Sequence, residues 1–148
     1  MGNPVNELAK YNVREELTDK KEDMLVRDVV ETSIAPLRPD MGVAEASEYL
    51  TKKGLTGSAV VETDGSLVGF FSTRASIKSL YNEKYNQWPS AKVSSHMSKD
   101  THAVEMDSPI SLLVEKYVDS HYHTYPVVEK GKYAGFVSIK SLLSYLLK

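Results

Sequence analysis

Two pairs of residues have types and spacing that suit anion chemistry: Ser72 with Arg74, and Ser138 with Lys140. In each pair a hydroxyl closes an apolar run, "LVGFFS" or "YAGFVS", and a cation follows two residues later in "STRAS" or "SIKS". A strand that ends on serine and turns directly into a helix leaves the first helical N–H groups unpaired, and the positive end of the helix dipole draws an anion there. A cation in that first turn opposes the dipole, so it adds little to helix stability and suits a phosphate instead. The plainer reading is equally open: serine is a common N-cap, and a surface base is usually solvated.

Other chemistry is less well supported. His121 and His123 flank Tyr122, with His96 and His102 elsewhere in the same half. Zinc needs three or four ligands in fixed geometry, and the chain has neither cysteine nor a Glu-x-x-His spacing to supply them. Two histidines at the end of a helix read as a solvent-facing C-terminal pair. Asp64-Gly65 is hairpin punctuation. There is no nucleophile elbow and no Walker loop, so an enzyme is a distant rival reading.

The elements that must position these residues occur twice. Val26 matches Val93, Val30 matches Met97, Asp40 matches Asp107 and Val43 matches Ile110, all at an offset of 67. Beyond the turn, where "TDGS" faces "KGK", Gly69 matches Gly135 at an offset of 66. A length change confined to a turn marks two copies of one hairpin. Each copy reads as a short strand, a helix, a hairpin and a closing helix, a βαββα unit.

In the first copy the short strand covers 34–37, and Val43, Ala46 and Leu50 share a helical face. In the second, Ile110, Leu113, Val114, Tyr117 and Val118 do so, with Ser108 and Pro109 as expected N-cap and first helical residue. The hairpin strands are expected at 58–62 with 67–72 and at 125–129 with 132–138. The closing helices run from 73 to 85 and from 139 to the C-terminus. Residues 1–25 stand apart as an N-terminal helix and linker, followed by repeat 1 (26–85), a connection (86–92) whose Trp88 packs across the join, and repeat 2 (93–148). Two copies are too few for a solenoid, so the expected arrangement is α/β (α+β), with the repeats packed sheet to sheet about a pseudo-two-fold axis.

Composition bounds the function. A chain of 148 residues with 41% apolar and 26% charged residues suits one folded unit. Lys+Arg of 18 against Asp+Glu of 20 provides no basic field for nucleic acid. No apolar run of about 18 residues suggests a membrane span, the start lacks a signal-peptide core, and Asn6 breaks the myristoylation pattern. The reading is a cytoplasmic protein.

The order "VRDVV…PLRPDMGVAEA…GSAVVETDGSLVGFFSTRAS" followed by "VSSHM…AVEMDSPISLL…YPVVEKGKYAGFVSIKS" resembles a tandem pair of cystathionine-β-synthase (CBS) domains over about 26–147. The resemblance implies a pseudo-symmetric disc that usually dimerises. Between the repeats it implies clefts for adenine nucleotides or related adenosyl compounds, such as AMP, ADP, ATP or S-adenosylmethionine. Such modules sense and regulate rather than catalyse. The family's ribose-phosphate motif, G-h-h-S/T-x-x-D, falls on Gly69, Ser72 and Ala75 and on Gly135, Ser138 and Ser141. This chain departs from it, because Ala75 and Ser141 stand where the motif has aspartate.

The same resemblance implies one base pocket from Ile34, Ala35 and Pro36 with Thr56, Gly57, Ser58 and Ala59. A second would come from Thr101, His102, Ala103 and Val104 with His123, Thr124, Tyr125 and Pro126. Ser72, Thr73 and Arg74, and Ser138, Lys140 and Ser141, would meet the ribose and phosphate. The expected function is a non-catalytic regulatory homodimer that binds an adenosyl ligand and acts on a separate protein effector. The alternative is a ligand-free scaffold for dimerisation or partner docking.

Overall fold

The computed structural model describes residues 24–148; the expected N-terminal helix falls outside the described residues. Repeat 1 begins with a short 3₁₀ turn at Val26–Asp28. It continues with helix α1 (Val43–Lys52), strands β1 (Gly57–Val61) and β2 (Leu67–Ser72), and helix α2 (Thr73–Tyr85). Repeat 2 begins with the turn Val93–Ser95 and continues with β3 (Val104–Glu105), α3 (Ile110–Asp119), β4 (Thr124–Glu129), β5 (Lys132–Ser138) and α4 (Ile139–Leu146).

The hairpins match in detail. Val60 pairs with Gly69 in one and Val127 with Gly135 in the other, and both ladders shift register immediately afterwards. In repeat 2, β3 adds a parallel edge, with Val104 opposite Val127. In repeat 1 the expected strand over 34–37 contracts to a single parallel bridge between Leu37 and Val60. Pro36 offers no N–H with which to extend that ladder.

Each repeat completes the other. The leading segment of repeat 1 places Val26 and Val29 in a core with Val104, Ile110, Leu113, Tyr125, Val127 and Val137 of repeat 2. Val93 of repeat 2 lies in the core of repeat 1 with Leu37, Val43, Leu50, Val60 and Phe71. The backbone follows the same exchange. Glu31 forms an antiparallel bridge with Phe136 of β5, and Ser98 forms one with Phe70 of β2. Strands β1 and β4 approach each other between the repeats, and every residue of β1 is buried.

The exchange also explains how α3 begins. Pro109, not Ser108, occupies the N-cap position, with no side-chain cap. The first helical N–H, from Ile110, donates to the carbonyl of Met24 at 2.7 Å, as that of Val43 in α1 donates to Ala91 at 2.9 Å. A backbone carbonyl from the segment that leads into the other repeat thus takes the place of a capping hydroxyl. Trp88, expected across the join, is instead 54% exposed.

Two glycines permit the crossing of chains. A Cβ on Gly69 would lie 2.5 Å from Met97 Sδ, on a flexible side chain, and 3.0 Å from the carbonyl oxygen of Ser98. On Gly135, at φ +149°, it would lie 2.5 Å from the carbonyl oxygen of Glu31 and 2.7 Å from Val30 Cγ2. Backbone cannot yield as a thioether can, and that φ disfavours side chains. Gly135→Ala should therefore cost about 2–3 kcal/mol in denaturant unfolding and Gly69→Ala clearly less; equal losses would contradict the asymmetry.

Candidate functional site

The first cleft forms where β2 becomes α2. Ser72 has extended backbone angles, and its Oγ accepts the N–H of Ala75 at 3.3 Å, a regular N-cap. Thr73 donates both its N–H and its hydroxyl to the carbonyl of Thr56, at 2.9 and 3.2 Å, tying the helix start to the start of β1.

Two cavities of about 270 and 420 Å³ flank this corner and share Phe70, Ser72, Tyr122 and Thr124. The smaller also takes in Ala75, Ser98, Asp100, Thr101 and His102, and the larger Thr56, Thr73, Arg74, His121 and His123. Arg74 is exposed, and among the described residues no carboxylate pairs with it.

An aromatic pair borders the smaller cavity. The rings of His102 and Tyr122 lie 4.5 Å apart at 36°, and Tyr122 Oη is 2.9 Å from His102 Nε2. His102 is in the left-handed region at φ +53°, a conformation uncommon for a side-chain-bearing residue. Asp100 holds it there: its Oδ1 accepts the His102 N–H at 3.3 Å, and its Oδ2 lies 3.3 Å from Nε2. Flat side chains at the edge of a cavity provide a face on which a planar heterocycle can stack.

The start of α4 is built differently. Ser138 is again the N-cap, and its Oγ accepts the N–H of Ser141 at 3.1 Å. The hydroxyl of Ser141 is committed to the cap, accepting from Ser138 N at 2.9 Å and donating to Ser138 O at 3.0 Å. The Ser138 hydroxyl donates across the repeats to Glu31 Oε2 at 2.8 Å. Lys140 is exposed.

The residues expected to bind ligand are thus only partly brought together. The cavities combine Thr56, Ser72, Thr73 and Arg74 of repeat 1 with Thr101, His102, His123 and Thr124 of repeat 2. Gly57, Ser58 and Ala59 are buried in β1, and Tyr125 and Pro126 in β4. Ile34, Pro36 and Ala103 are half-buried, and Ala35 is exposed, its carbonyl accepting from Tyr49 Oη at 3.1 Å. Sequence reasoning passed over Glu31, Phe70, Ser98, Asp100 and Tyr122. The repeat offset was the available signal for two of them, since it aligns Glu31 with Ser98. The histidines at 121 and 123 lie beyond the end of α3 and border the cleft, and no group of three metal-ligating side chains forms among the described residues.

This arrangement, two interlocked βαββα units around a cleft, agrees with family comparison. The CBS domain matches residues 26–75 and again 93–148. The chain belongs to the CBS domain family. As a CBS pair it resembles CBSX2 from Arabidopsis thaliana, solved in complex with AMP, at a TM-score of 0.72 and 21% identity over 83% of this chain and 96% of that one. It also resembles the CBS domain pair of the protein MJ0100, solved with 5′-methylthioadenosine and S-adenosyl-L-methionine, at a TM-score of 0.66 and 21% identity over 85% and 97% of the two chains. An uncharacterised 17.7 kDa protein of Acidianus ambivalens is 24% identical over 82% of this chain and 73% of its own. CBS pairs are generally regulatory modules, and no helix of the described residues is long and apolar enough to cross a membrane.

Two tyrosines of repeat 2 are held neutral. Burial pushes Tyr133 up to about 12, with Tyr49 adding a smaller effect. Burial also pushes Tyr117 well above the ordinary value, and the nearby Tyr125 and Glu31 raise it further. The folded state therefore retains protons that the unfolded chain releases near pH 10. Stability from these groups should be fully present below pH 10 and decline as pH rises towards 12. Denaturant titrations at pH 8 and 11 should show the loss, and Tyr133→Phe should reduce it.

Proposed function

We propose that this CBS pair is a non-catalytic sensor of an adenine nucleotide or related adenosyl ligand, which it takes up in the cleft at Ser72. The observation that carries this reading is the pair of adjacent cavities at the start of α2, with Arg74, which pairs with no carboxylate among the described residues, at one end and the tilted rings of His102 and Tyr122 at the other. Arg74 and the N-terminus of α2 suit a phosphate, while His102 and Tyr122 suit the base. Asp100 brings to the same cavity the carboxylate that Ala75 lacks. The adenosyl compounds bound by the similar solved structures support the ligand class.

A ligand there touches both repeats, so unequal affinity for two packings of the repeats would shift their balance and pass a signal to a protein effector. The reading also places the protein in the cytoplasm as a homodimer. An apolar groove of about 520 Å³ between α3 and α4 supports the dimer, with Val118, Leu143 and Leu146 more than half exposed along it. The same groove, together with Ala75 and Ser141 in place of aspartate, favours the second reading, a ligand-free docking scaffold.

Thermal unfolding against AMP, ADP, ATP and S-adenosylmethionine separates the two. A binder at a hundred times its dissociation constant should add about 2.7 kcal/mol, several degrees for this chain. Arg74→Ala should remove most of the shift for the phosphorylated ligands. No shift with any of these compounds would leave the scaffold reading standing. Mass by light scattering should be that of two chains, and Leu143→Glu should reduce it to one; a monomeric wild type would overturn the dimer.

A further inference from the structure

The starts of the two closing helices differ at one pseudo-equivalent position. Glu31 and Ser98 are each pinned to the other repeat by two backbone hydrogen bonds, Glu31 to Phe136 at 2.7 and 3.0 Å and Ser98 to Phe70 at 2.8 Å in both directions. Each side chain is thereby delivered to the strand that leads into a closing helix. Ser98 turns its hydroxyl back on Asp100, donating to the carbonyl and accepting the N–H, both at 3.2 Å. The proton of the Ser72 hydroxyl has no partner among the described residues. Glu31 instead reaches Ser138 and accepts its hydroxyl proton at 2.8 Å.

We propose that Glu31 is a built-in anion that keeps phosphorylated ligands from the start of α4, so that the chain binds a nucleotide at Ser72 alone. This inference rests on the nucleotide-sensing reading. The Ser138 hydroxyl can donate one proton. The carboxylate at 2.8 Å is a better acceptor than the Ser141 hydroxyl at 3.2 Å. With that proton taken and a negative charge already at the helix start, a phosphate gains less from the dipole and meets like charge.

Withdrawal is restricted. The main chain of Glu31 is paired on both sides, and its carbonyl lies against Gly135, where even a methyl group would stand 2.5 Å away. The carboxylate's field also reaches inward, helping to keep the buried Tyr117 phenol protonated. Lys140, the cation of that first turn, is exposed.

Calorimetric titration of the full chain tests the inference with AMP and adenosine as probes. The wild type should bind one AMP per chain, at a site lost in Arg74→Ala. Glu31→Ser, which copies Ser98, should bind two, with second-site affinity for AMP raised about tenfold or more. Glu31→Gln keeps the size and the hydrogen bond while removing the charge, and should also admit the second AMP with little change for adenosine. Two AMP molecules of similar affinity in the wild type, or one per chain in both Glu31 variants, would overturn the inference and leave the sensor reading intact. No AMP bound by any of these proteins would overturn both.

Discussion

Two pairs of backbone hydrogen bonds tie each leading segment to the other half's hairpin: one between Glu31 and Phe136 and one between Ser98 and Phe70. The remaining architecture depends on them. Because each leading segment pairs with the other repeat's hairpin, Val26 and Val93 fill cores to which they are distant in sequence. Removing either segment would leave a core open, a helix start unpaired and a sheet edge bare. The two halves are therefore expected to fold as one cooperative unit rather than as two small domains, each too short to bury enough surface alone. The exposed ion pairs of Arg27 with Asp107 and Glu129 lie along the same seam. Their contribution is small beside that of the buried valines.

The same exchange makes the clefts. The one at Ser72 is bounded by the closing helix of repeat 1 and by residues 96–102 and 121–124, so any ligand there reads the relative position of the two halves. It also explains why the clefts diverge. Each leading segment lies against the hairpin of the other repeat, so Glu31 meets the cap of one closing helix while Ser98 lies beside the other. The cleft at Ser72 collects polar and aromatic groups from 96–102 and 121–124, whereas the cap at Ser138 is satisfied internally by Glu31 and Ser141. Duplication supplied the scaffold twice, and side chains outside the recognisable motif set the chemistry of each copy.

The repeat, its hairpins and both closing helices were legible in the sequence to within a residue or two, because alternation, turn chemistry and the helical face of Val43, Ala46 and Leu50 are local patterns. Local patterns also misled. Ser108 and Pro109 have the types of a cap and a first helical residue, yet a carbonyl from Met24 serves the N–H of Ile110. Trp88 looks like a core residue and is exposed. Of the candidate site, the serine caps and their following cations were visible, since they lie within a few residues of each other. Tyr122 and Glu31 were not, because their roles arise from neighbours farther along the chain, and Asp100 was not, because its local contacts with Ser98 and His102 reach the cleft only through the fold.

The sequence by itself determined the duplicated βαββα order, the membership in the CBS family and the presence of a hydroxyl and a cation at each closing helix. The order and the helix starts follow from short-range periodicity and spacing, and the membership from the match of the whole motif order to the family. Only the tertiary structure decided that the leading segments are exchanged, that Thr56 belongs with His123 and Thr124, and that Glu31 rather than solvent meets Ser138. Those outcomes depend on which distant strands share hydrogen bonds, and a pairing between residues about a hundred positions apart leaves no local trace in the order of amino acids.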